Sequence, residues 1–149
     1  MHQIKIEVTH FSAAHRLGKG YQGKCEHLHG HDYRVWVTLD SSQLNSHDFV
    51  ADFSEIKHLL KAWLNENLDH ATLVASTDQK LIEFLKQEQQ KLYILPDQKN
   101  PTAEAIAEHL FYQFDKIIVD HKQQFNPEAR LTSVEVWETQ TFCGIYHRI

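Results

Sequence analysis

Seven consecutive residues, Cys25-Glu26-His27-Leu28-His29-Gly30-His31, hold a thiol, a carboxylate and three imidazoles. Side chains on an extended chain alternate faces, so a strand here would put His29 and His31 on the same side. Two imidazoles on one face are two legs of a metal tripod. A catalytic zinc site needs three protein ligands and one open position. His15 is the candidate for the third leg. It ends the apolar-polar run that begins at Ile4, and an antiparallel partner strand would bring it beside the pair. A strict period of two puts His15 on the polar side with Lys5, Glu7 and Thr9, unless a bulge shifts the phase.

Cys25 has two readings. As a fourth ligand it would close the site and make the metal structural. As a free base it needs a lowered thiol pKa, which a nearby cation or metal supplies. Farther along, Asp69-His70 places a carboxylate beside an imidazole, a pairing used to orient general acids and bases. Glu138 shares the face of Val134 and Val136, where a solvated carboxylate is out of place. An inward Glu can accept two N–H groups from an amidine-like ligand edge. Glu104 lies in the first turn of a helix, where it complements the helix dipole.

These residues need elements to hold them. Ile4, Ile6 and Val8 alternate with polar residues to predict a first strand, extended through Phe11 to Leu17. Three glycines, Gly18, Gly20 and Gly23, mark a loop leading to Cys25. Tyr33, Val35, Val37 and Leu39 alternate in a second strand that begins inside the opening motif. Asp52, with Glu55 three residues on, predicts the start of a helix running to about Asn67. A shorter helix is expected over Asp78 to Gln89, and an extended piece over Leu92 to Leu95. Thr102 follows Asn100-Pro101 and caps a third helix through Ile106, Leu110, Phe111 and Phe114. Two strands, Leu131 to Thr139 and Phe142 to Arg148, close the chain. Strands flanking a helical block predict an α+β domain over residues 1–149, with helices on one face of an antiparallel sheet.

Composition narrows the function. The chain has 149 residues, enough for one domain with a substantial core. Its formal charge is −5 with no basic run, which argues against nucleic acid or an anionic membrane surface as partner. Twelve histidines are an excess that favours metal or proton-transfer chemistry. Two cysteines make no disulfide framework, and no apolar stretch has the length of a signal peptide or membrane span, so a cytoplasmic protein is expected.

Six segments, in order, resemble the 6-pyruvoyltetrahydropterin synthase and 6-carboxytetrahydropterin synthase family. They are Phe11-Ser12-Ala13-Ala14-His15-Arg16-Leu17, Cys25 through His31, Val50-Ala51-Asp52-Phe53, Leu68-Asp69-His70, Asn100-Pro101-Thr102-Ala103-Glu104 and Val136-Trp137-Glu138-Thr139. The resemblance implies a tunnelling fold, closed into a barrel by several subunits and assembled as a homohexamer of two trimers. It implies Zn²⁺ on His15, His29 and His31, and Cys25 as the catalytic base. It further implies Asp69 and His70 as a proton relay, often serving a neighbouring subunit, and Glu138 as the pterin anchor. Thr102 and Glu104 match positions near the pterin. The implied substrate is 7,8-dihydroneopterin triphosphate.

Three residues separate Cys25 from His29. That spacing resembles the bacterial carboxy-forming branch of queuosine biosynthesis, which releases acetaldehyde and triphosphate. The pyruvoyl-forming branch usually has a longer gap. Glu26 resembles the glutamate of a third branch, which forms 6-hydroxymethyl-dihydropterin for folate, so dual activity is an alternative. Two readings of other classes are a non-catalytic zinc- or pterin-binding module and a metal-buffering protein.

Overall fold

A computed structural model describes residues 1–149. One six-stranded sheet organises the chain. The strands are β1 (His2–His15), β2 (His29–Ser41), β3 (Ala71–Ala75), β4 (Leu92–Leu95), β5 (Arg130–Trp137) and β6 (Cys143–His147). The helices are α1 (Phe53–Asn67), α2 (Gln79–Gln87) and α3 (Ala103–Phe125). Across the sheet the order is β4-β3-β1-β2-β5-β6.

The α+β class holds, but the sheet is mixed rather than antiparallel. β3 runs parallel to β1, and β4 parallel to β3. Parallel neighbours need a crossover, and α2 supplies one between β3 and β4. β3 gave no periodic signal because Ala71, Leu73, Val74 and Ala75 are all buried. A strand covered on both faces reads as a continuous apolar run. Leu73 joins the main core, whereas Val74 packs in a separate cluster with Leu81, Ile82 and Leu85 of α2. Adjacent strand side chains point to opposite faces. The helices therefore do not all share one face, and α2 covers the back of the sheet at its β3 side.

Helix starts follow their caps. Asp52 Oδ1 accepts from the Ser54 and Glu55 N–H groups at 2.7 and 3.3 Å. Thr102 Oγ1 accepts from the Ala105 N–H at 3.2 Å, and Asp78 caps α2 through the Leu81 N–H. Each satisfies a donor that the first helical turn cannot. The apolar stripes of α1 (Ile56, Leu60, Leu64) and α3 (Ile106, Leu110, Phe114) then bury against β1, β2 and β5. Truncating a fully buried aromatic such as Phe114 to Ala costs about 3–5 kcal/mol.

A bulge in β1 decides where His15 points. Glu7 pairs with Trp36 and Thr9 with Val35, so Val8 is the extra residue. Ile6 before it and Val8 itself are buried in the core; after it, Phe11, Ala13 and His15 are. Without the phase change His15 would face outward with Lys5, Glu7 and Thr9. With it, His15 sits opposite His29 in register.

Candidate metal centre and its surroundings

His29, His31 and Tyr33 lie on the core face of β2, and His15 joins them from β1. The His15 and His29 rings are 4.6 Å apart at their centroids, and His15–His31 and His29–His31 are 5.0 and 4.9 Å. One nitrogen from each ring falls within 4.8 Å of the others, and this trio is the group able to hold a metal ion. Cys25 stands outside it.

Hydrogen bonds fix the tautomers. His15 Nδ1 lies 2.6 Å from the Pro101 carbonyl oxygen, and His29 Nδ1 lies 2.7 Å from the His27 carbonyl oxygen. A carbonyl only accepts, so both Nδ1 atoms carry the proton and both Nε2 atoms present lone pairs. Those two Nε2 atoms are 3.1 Å apart. Two lone pairs at that distance repel unless a cation lies between them. A tetrahedral ion with metal–nitrogen bonds of about 2.05 Å holds its nitrogens about 3.3 Å apart. The donor set therefore fits an ion bound through Nε2, with carbonyls as the outer partners that orient the rings.

Burial reinforces this neutral state. His15 is 2% exposed, and desolvation pushes its pKa down to about 4, aided by His29 and His31 and opposed by the Pro101 carbonyl. Burial also lowers His31, against the pull of Glu138. Tyr33, fully buried and stacked on Phe11, places its hydroxyl 3.1 Å from His15 Nδ1. Desolvation raises its pKa, and Glu138 and Cys25 add to the rise.

Glu138 lies one residue beyond β5 rather than within it, and its carboxylate comes within 4.0 Å of His15 Nε2. The strand stops there because Glu138 N–H donates to the Phe142 carbonyl in the turn to β6, where Thr139 Oγ1 accepts from the Thr141 and Phe142 N–H groups. Cys25 is half-buried in a short 3-10 turn, Lys24–Glu26, and its carbonyl accepts from Leu17 N–H, closing the glycine loop beside His15. Glu26 is exposed, with its carboxylate 3.6 Å from His27.

Asp69 and His70 form a second constellation. His70 Nδ1 is 2.9 Å from Asp69 Oδ2, and Asp69 Oδ1 accepts from the Ser12 N–H at 3.1 Å. His70 N–H returns to the Ser12 carbonyl at 2.7 Å, with His70 in the left-handed region at φ 61°. Burial raises the Asp69 pKa, but His70, Ser12 and Lys91 outweigh it and the net shift is downward. His70 borders an open groove that also touches Ser12, Gly30, His31 and Asp32. No hydrogen bond joins it to the triad within this chain. Thr102 acts as a helix cap, and Glu104 is exposed on the first turn of α3.

Two partners of His15 escaped the sequence reading. Tyr33 had a signal, since it continues the His29, His31 alternation. The Pro101 carbonyl had none, because a backbone oxygen carries no residue identity.

The 6-pyruvoyl tetrahydropterin synthase family model matches residues 3–148. A protein of Rickettsia bellii named 6-carboxy-5,6,7,8-tetrahydropterin synthase is 34% identical over 130 residues, covering 87% of this chain and 88% of that one. Its namesake from Aquifex aeolicus is 35% identical, covering 88% and 89%. Among solved structures, 6-pyruvoyl tetrahydropterin synthase of Plasmodium falciparum superposes with a TM-score of 0.72 at 20% identity, over 99% of this chain and 97% of that one. At that identity the likeness concerns the fold.

Proposed function

The chain belongs to the 6-pyruvoyl tetrahydropterin synthase family, and from that premise we propose that it is a zinc-dependent 6-carboxy-5,6,7,8-tetrahydropterin synthase. Its substrate is 7,8-dihydroneopterin triphosphate. Water is consumed, and acetaldehyde and triphosphate are released. The side chain loses two electrons as its first carbon becomes the carboxylate, and the dihydropterin ring gains two on becoming tetrahydro. That balance needs no nicotinamide or flavin. The pathway served is queuosine biosynthesis.

The observation that carries this reading is the convergence of the His15, His29 and His31 nitrogens, two of them tautomer-locked by carbonyls, next to Glu138. Zinc, when bound, polarises the side-chain oxygens of the substrate and acidifies the adjoining carbons. Glu138 accepts two N–H groups from the amidine edge of the pterin and orients it. Cys25, as thiolate, takes a proton from a side-chain carbon, and His70, oriented by Asp69, moves a proton at a hydroxyl.

The exposure of His70 supports service to a site shared between copies. The edges of the sheet at β4 and β6 are unpaired in one chain, as a barrel closed by further copies requires. A hexamer of two trimers is the proposed assembly.

The test is to incubate zinc-loaded protein with dihydroneopterin triphosphate and identify the pterin by mass. A 6-carboxy product is expected. A pyruvoyl product overturns the branch, and a hydroxymethyl product that disappears in Glu26→Ala assigns the folate activity instead. No turnover of this substrate sinks the enzyme reading.

A further inference from the structure

We propose that Gly144 is a positioning residue for His15, acting through the backbone strap Asn100–Glu104. The strap holds the carbonyl that locks His15: Pro101 O accepts from His15 Nδ1 at 2.6 Å. It is clamped from two sides. On one side the Asn100 carboxamide grips the glycine loop, with Gly18 N–H donating to Asn100 Oδ1 at 3.0 Å and Asn100 Nδ2 donating to the Gly18 carbonyl at 3.3 Å. Thr102 N–H donates to the Asn100 carbonyl at 2.8 Å, so the strap turns sharply before Thr102 caps α3.

On the other side β6 presses against it. A methyl group built on Gly144 would lie 2.7 Å from the Ala103 carbonyl oxygen, and closer still to the Ala103 carbonyl carbon and the Glu104 nitrogen. All three atoms are backbone, so no side chain can rotate away. Ordinary contact for such a carbon starts at 3.4 Å. Gly144 is paired with Val136 in the ladder, and Ala103 is buried, so neither partner has free space behind it. Any residue but glycine must lift β6 from β5 or push the strap. Pushing the strap moves the Pro101 carbonyl, two residues from the contact. A hydrogen bond of 2.6 Å stretched by about 1 Å passes out of the bonding range.

The inference deepens the metal reading, and its metal arm rests on it. The test uses full-length Gly144→Ala. In metal-free protein, imidazole ¹⁵N shifts report which His15 nitrogen holds the proton. Wild type is expected to show Nδ1–H alone, and Gly144→Ala a mixture of tautomers. Zinc affinity, by chelator competition, is expected to weaken about 10-fold or more, as when an outer-shell partner is lost. A variant with lowered Tm but unchanged His15 tautomer and zinc affinity has lost only packing, and that result overturns the proposal. If Gly144→Ala does not fold, Asn100→Ala releases the other clamp and is read the same way, with unchanged tautomer and affinity again overturning it. Wild-type protein that binds no zinc sinks the metal reading, while the tautomer measurement still decides the positioning role.

Discussion

Two histidine constellations hang from β1, one on each side. Toward β2, His15 meets His29 and His31. Toward β3, the Ser12 backbone holds Asp69 and His70. The first brings its three imidazoles together within one chain, with the His15 side chain 2% exposed and His29 and His31 half-buried. The second is fixed by its backbone, yet the His70 ring is 80% exposed. The difference fits the tasks proposed for them. A metal ligand gains from being neutral, tautomer-locked and immobile before the ion arrives. A proton-transfer group must approach a substrate, so its ring has to remain accessible while its partner holds the orientation. Three residues of one strand thus separate a finished site from a half-built one.

His29→Ala attacks the finished site and has the largest expected effect. Losing an outer partner of a metal ligand costs about 10–100-fold in affinity, so losing the ligand itself should exceed about 100-fold. Zinc content after dialysis and chelator competition measure it, and turnover should vanish with the metal. His70→Ala attacks the other constellation. Zinc should stay bound with unchanged affinity while kcat falls by about 10²–10⁴. If His70→Ala strips the metal, the division between the two regions is wrong.

Tyr33→Phe sits between these extremes. It removes a hydroxyl from His15 Nδ1 but leaves the Pro101 carbonyl in place. No buried donor is orphaned, so stability should fall by about 1 kcal/mol and zinc affinity by less than in His29→Ala. Equilibrium urea unfolding of the metal-free protein checks the first, and chelator competition the second. A loss of zinc as complete as that of His29→Ala would make Tyr33, not Pro101, the group that locks His15.

The helices were legible because their ends are chemical. Asp52 and Thr102 announce α1 and α3 by side chains that satisfy first-turn donors, and the apolar spacing does the rest. The residues of the triad were legible as types, and alternation showed that His15 needs a bulge to join them, but not where the bulge lies. The bulge at Val8 is a backbone event, and alternation read through it would have turned His15 outward. β3 was invisible for the opposite reason, since burial on both faces erases alternation. Glu138 was expected inside a strand; it lies just past one, where a turn aims its carboxylate at His15. The carbonyls of His27 and Pro101, which decide the tautomers, leave no mark in a sequence at all.

Asp69→Asn should have the smallest effect on stability, and its pH dependence tests why the second constellation tolerates exposure. The Asp69 carboxyl is held below its ordinary value in the folded protein, since His70, the Ser12 N–H and Lys91 together outweigh its partial burial. A depressed folded pKa means that the unfolded chain takes up the proton first as the pH falls. The contribution of Asp69 is therefore fully present above the unfolded value of about 3.9 and is lost as the pH drops through the lower folded value. The site is open to water and salt, so the effect at pH 7 should be within about 1 kcal/mol. The Tm gap between wild type and Asp69→Asn should shrink as acid is added, and also in about 1 M salt, where screening is short-ranged. A gap that widens in acid would reverse the sign and show that Asp69 is strained, not stabilised, by its place on Ser12. A gap that ignores salt would mean that the carboxylate is as enclosed as the triad, and the contrast between the two sides of β1 would fail there.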